Sequence, residues 1–79
     1  MKYLIMEDFA GKPISFVFPR RVNHVDMREQ LPYGKVLGAG YVELRDGAFH
    51  CFGGSGELEI VASSKDEAIL AEAFASNQA

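Results

Sequence analysis

Tyr41-Val42-Glu43-Leu44-Arg45-Asp46-Gly47-Ala48-Phe49-His50-Cys51-Phe52 is the stretch that decides the fold. Asp-Gly is favoured in a two-residue hairpin loop because both loop positions need positive φ, and strand-like runs flank it on either side. With Asp46 and Gly47 as the loop, Arg45 faces Ala48, Leu44 faces Phe49, Glu43 faces His50, Val42 faces Cys51 and Tyr41 faces Phe52. Period-two alternation puts Val42, Leu44, Phe49 and Cys51 on one apolar face, expected to be core. The reverse face carries Tyr41, Glu43, Arg45, His50 and Phe52, a mixed aromatic and charged surface.

Upstream, the first hairpin strand reaches back over 35–45, with Gly38 and Gly40 inside it. Glycine weakens a strand, so these two positions predict a bulge, a bend or a close backbone approach. Residues 3–6 and 14–18 read as an earlier strand pair joined by a wide polar loop. Ile14, Phe16 and Phe18 share a face opposite Ser15 and Val17, and that face is expected to be core. Pro19 stops the strand, and Asn23 can cap a short helix ending near Leu31, before Pro32 and Gly34. Val22 and Met27 occupy staple positions, Asp26 sits in the first turn, and His24 reads as a solvent-side residue. So short a helix needs Val25, Met27 or Leu31 docked on the sheet.

Downstream, Gly53-Gly54-Ser55-Gly56 reads as a flexible turn, and 57–62 as a fifth strand with Leu58, Ile60 and Ala62 alternating against Glu57, Glu59 and Val61. Ser64 and Glu67 have the spacing of a capping box that opens a helix running to about Ala75. Ile69, Leu70, Ala73 and Phe74 form its apolar stripe, leaving Lys65, Glu67 and Glu72 wet, while 76–79 should fray. The pattern predicts an α+β fold: an antiparallel or mixed sheet of four to five strands with one short helix and one C-terminal helix. Residues 1–79 make a single domain.

A chain of this length lies close to the lower limit for an independent core. Six phenylalanines and three tyrosines therefore imply either dense packing or a partly exposed apolar face, and a homodimer would extend the core. Eight basic and eleven acidic side chains give a net charge of -3, which disfavours a nucleic-acid backbone as the main ligand. Cys51 is alone, so no intrachain disulfide forms and a reducing compartment fits. The apolar stretch 1–6 meets Glu7 and Asp8 too soon for a signal peptide, and no run is long enough to span a membrane. The expectation is a soluble, cytoplasmic protein.

His50 beside Glu43 is the most specific pairing, because a carboxylate can orient an imidazole and favour its protonated form. No nucleophile shares that face, so the pair reads as a cross-strand contact or part of a binding surface, and no catalytic residue is assigned. No metal site is expected, since His50 and Cys51 project from opposite faces. Nor is a cofactor, because 53–56 lead into an acidic strand without the lysine of a phosphate loop. Cys51 reads as a small buried hydrophobe. Arg20, Arg21 and Arg28, with Lys35, form a candidate patch for an anion or an acidic partner.

Lys35-Val36-Leu37-Gly38-Ala39-Gly40-Tyr41-Val42-Glu43-Leu44, followed after the turn by Phe49-His50-Cys51-Phe52-Gly53, resembles a group of small uncharacterised phage and prophage proteins. Lys2-Tyr3-Leu4-Ile5-Met6-Glu7-Asp8 and Ser63-Ser64-Lys65-Asp66-Glu67 are similar in character, so the resemblance spans most of the chain. It implies an accessory protein of a mobile element that acts in a bacterial cytoplasm by binding a host protein or itself. It transfers no catalytic residue. Together these readings predict a small noncatalytic protein-binding domain using Tyr41, Glu43, His50 and Phe52. The alternatives are a regulator that touches nucleic acid through Arg20, Arg21 and Arg28, or a structural homodimer.

Overall fold

In the computed structural model, which describes residues 1–76, four strands form one antiparallel sheet: β1 (Lys2–Glu7), β2 (Pro13–Phe18), β3 (Val36–Arg45) and β4 (Ala48–Phe52). Their order is β2-β1-β3-β4. A short ribbon of β5 (Gly54–Ser55) and β6 (Ile60–Val61) follows, and the helices are α1 (His24–Glu29) and α2 (Ser64–Ser76). The Asp-Gly hairpin has the predicted register, from Arg45 opposite Ala48 to Tyr41 opposite Phe52. Asp46 and Gly47 both adopt positive φ, 52° and 78°, as this loop requires. The first hairpin is pinned by Asp8, whose carboxylate accepts the amides of Ala10 and Lys12 at 2.9 and 2.8 Å.

β1 lies between two strands and is covered on both faces. Its apolar run Tyr3-Leu4-Ile5-Met6 is fully buried, which explains why it does not alternate. Tyr3 and Ile5 meet Val42 and Leu70 beneath α2, and Leu4 packs with Phe18 and Ala39 on the reverse face, where Val22, Met27 and Leu31 close over them. The result is a sheet between two helices of unequal length. Two-sided cover also modifies the expectation for 14–18. Phe18 is buried, but Ile14 and Phe16 are half-buried, and Val17 on the opposite face packs beneath α2.

Gly38 and Gly40 combine two of the predicted features. Pairing with β1 slips by one residue between Ile5 and Met6, a bulge that leaves Leu37 extra. At Gly38 a Cβ would lie 2.7 Å from the Asp66 carboxylate, and at Gly40 it would lie 3.0 Å from both Ala62 and the Phe52 carbonyl. The missing side chains admit α2 and the strand ribbon against β3.

Five local expectations are corrected. His24 is buried rather than wet, with its Nε2 3.0 Å from the Gly40 carbonyl. A carbonyl only accepts, so Nε2 carries the proton. Residues 57–62 do not form one strand: Gly56 to Glu59 turn, Glu59 takes φ 56°, and the ribbon pairs Ser55 with Ile60. Helix α2 is capped one residue early, with Asp66 accepting the Ser63 amide at 3.3 Å. Glu67, expected to be wet, instead accepts the Cys51 amide at 2.8 Å, because Asp66 has taken the capping role and turned inward. Finally, Leu44 is 61% exposed because the hairpin outruns the helix that covers Val42.

Candidate functional site

The reverse face of the hairpin places Tyr41, Glu43, His50 and Phe52 together, since register and alternation put all four on one side. Tyr41 and Phe52 are directly opposite, with ring centroids 5.7 Å apart and planes inclined by 20°, an offset stack. Phe52 remains 45% exposed. Tyr41 is held from behind: His24 meets it edge-on at 6.2 Å, and His24 in turn meets Phe18 edge-on at 5.5 Å. The Arg20 guanidinium lies 5.2 Å from the Tyr41 ring centre and the Lys2 ammonium 5.9 Å, both cation–π contacts. Lys2 is buried, opposite Tyr41 on β1, and donates to the Val22 carbonyl at 2.9 Å.

Glu43 and His50 are cross-strand partners, but the carboxylate bonds to Arg45 on its own strand. That guanidinium is the main reason the Glu43 carboxyl is held below the usual range, with His50 a smaller influence. The arrangement offers an aromatic platform with flanking cations. The Cys51 thiol does not join it, because it projects to the opposite face, beneath α2.

Beneath α2, the Tyr3 hydroxyl donates to Asp66 at 2.5 Å. Burial, followed by the Asp66 carboxylate, pushes the phenol well above its ordinary range. Cys51 belongs to the same cluster, where burial first and then the Asp66 and Glu67 carboxylates push its thiol up to about 11. At neutral pH the thiol is protonated and inert, the opposite of a nucleophile's setting. This cluster seats the helix on the sheet.

The arginines predicted to gather are distributed differently. Arg20 covers Tyr41, Lys35 reaches Glu7 at 3.6 Å, and Arg21 and Arg28 are exposed. Among the described residues, no hydrogen bond or ion pair joins these three arginines into one site. None of the groups of histidine, cysteine, aspartate and glutamate among the described residues could hold a metal ion. Also among those residues, no helix is long and apolar enough to cross a membrane. Sequence reasoning missed Lys2 and His24 as the supports of Tyr41. A lysine beginning an apolar strand was a visible signal, but its neighbour depends on strand order.

Comparison with known proteins returns nothing: no protein-family model, curated protein or solved structure matches this chain.

Proposed function

We propose that this chain is a noncatalytic accessory domain that binds a protein partner through the face built from Tyr41, Glu43, His50 and Phe52. The observation that carries this reading is the Tyr41–Phe52 stack, half open to solvent yet fixed from behind by His24, Lys2 and Arg20. Aromatic side chains whose positions are already ordered lose little entropy on binding and dominate interface energetics. Glu43, Arg45 and His50 beside them form a polar rim able to select a partner by charge. The resemblance to small phage and prophage proteins supports a host protein in a bacterial cytoplasm as the target, with a second copy of the chain as the other protein partner.

The test is capture from host lysate with the wild type and with a Tyr41→Ala/Phe52→Ala double variant, followed by titration of the purified partner. The double variant is expected to remain folded and to lose at least tenfold in affinity. A folded double variant that binds the same partner unchanged overturns the reading. The competing reading is a nucleic-acid contact, favoured by Arg20 stacked on Tyr41. It predicts binding to a labelled single strand that weakens steeply with salt and is lost on Arg20→Ala.

A further inference from the structure

We infer that the protein partner of the Tyr41–Phe52 face engages it through an acidic side chain, whose carboxylate is received by the Arg20 guanidinium while a nearby apolar side chain lies on Phe52. The inference rests on the protein-binding reading above and specifies the chemistry of the ligand.

Two cations share the Tyr41 ring. The Arg20 guanidinium lies over it, 5.2 Å from its centre, and the Lys2 ammonium stands 5.9 Å from the same point. Neither is ion-paired with a carboxylate among the described residues, where the ion pairs are Lys35 with Glu7 and Arg45 with Glu43. Lys2 is the more telling of the two, because it is only 8% exposed. Its ammonium has three donors, yet it is met by one carbonyl, that of Val22 at 2.9 Å, and by the ring. Buried charges are ordinarily paired with an opposite charge. An anionic partner supplies the counter-charge that the chain's own described residues do not.

Arg20 is the place where such an anion can dock. It is exposed, and a guanidinium held against an aromatic ring keeps its N–H donors at the edge, in the fork that matches a carboxylate. The ring contact also orders this long side chain beforehand, so less entropy is lost when the carboxylate arrives. Lys2, on the same ring, adds a positive potential that salt screens little because the residue is buried.

The rest of the face narrows the choice of anion. The Glu43 carboxylate is held by Arg45 on the same side of the hairpin and remains partly exposed. Two cations beside a fixed carboxylate suit a single anionic group. The repeated phosphates of a nucleic acid would instead meet Glu43 and a chain whose net charge is -3. Phe52, stacked on Tyr41 and 45% exposed, provides an apolar seat next to the cation. Arg20 and Phe52 lie 5.2 and 5.7 Å from the Tyr41 ring centre, so they are at most about 11 Å apart, three residues of an extended segment. The complementary pattern is therefore an aspartate or glutamate within three residues of an apolar side chain.

The test selects peptides on immobilised wild type from a random display library and titrates the best binder, as a labelled synthetic peptide, by fluorescence anisotropy. The selected peptides are expected to carry an acidic residue at that spacing from an apolar one. Replacing the acid by its amide in the peptide, or Arg20→Gln in the protein, should each weaken binding roughly tenfold or more, and the two losses should not add. Arg20→Lys should recover only part of the affinity, because an ammonium lacks the fork. Arg20 is exposed, so circular dichroism should show both variants folded. A binder that is lost with Tyr41→Ala/Phe52→Ala but carries no acid, or is indifferent to Arg20→Gln, overturns this inference and leaves the protein-binding reading standing. A library that yields no binder dependent on Tyr41 and Phe52 overturns both. A labelled single-stranded oligonucleotide that displaces the peptide and binds more tightly overturns the inference in favour of the nucleic-acid reading.

Discussion

Strand β3 passes through two environments, and the contrast between them organises the molecule. Along Gly38 to Val42 it is pressed between β1, the helices and the strand ribbon, and only Tyr41 in that run escapes full burial. Glu43, Leu44 and Arg45 continue the same alternation with all three side chains exposed. Sequence period assigns a side chain to a face of the sheet, whereas burial depends on whether another element reaches that far. The inner half holds the fold together, and the outer half is free to meet other molecules.

Leu70→Ala should separate the two halves most sharply. Leu70 is fully buried against Tyr3, Ile5 and Val42, so its truncation should cost about 2–5 kcal/mol in urea unfolding. For so small a core that is a large share of the stability. Tyr3→Phe is the next largest break, because it leaves the buried Asp66 carboxylate without its closest donor. A loss of about 1–3 kcal/mol is expected, and a double-mutant cycle with Asp66→Asn should show strong coupling. Gly38→Ala acts on the same joint by driving a methyl toward that carboxylate, with an expected cost of about 1–3 kcal/mol. In the outer half, Leu44→Ser should change stability by no more than about 0.5 kcal/mol.

The thiol sharpens the comparison without a loss of stability. Because the Cys51 pKa is raised to about 11, alkylation by iodoacetamide should be slow at pH 8 and accelerate only as pH approaches that value. A free thiol, titrating near about 8.5, reacts readily under the same conditions. Urea-unfolded protein should therefore react much faster than folded protein at pH 8, and equal rates would show that Cys51 is not shielded.

The hairpin was legible in the sequence because its information is local: one dipeptide fixes the loop, and alternation fixes the faces. Sheet order was not legible, and the misreadings of His24 and of the α2 cap trace to contacts that depend on it. His24 lies on a helix whose sequence gives no sign of burial, and its partner is the carbonyl of Gly40, sixteen residues later. The helix start reads as a Ser64–Glu67 capping box, and the same spacing recurs one residue earlier in Ser63 and Asp66. Two distant groups, the hydroxyl of Tyr3 and the amide of Cys51, selected between them. The four candidate interface residues share a face because of the hairpin alone, but the ring stack and its cationic supports depend on Lys2 and Arg20 arriving from elsewhere.

The bond from the Cys51 amide to Glu67 has a further consequence. β4 ends the sheet, and the alternation of a two-residue hairpin turns the amides of Phe49 and Cys51 outward, where another chain could continue the ladder. Glu67 occupies one of them and places a carboxylate where an incoming strand would lie. Helix detachment would therefore also bare the Cys51 amide, leaving this rim more prone to clumping once α2 lifts away. A Glu67→Ala chain would lose that guard while still folded, and fibril formation under mild agitation would report it.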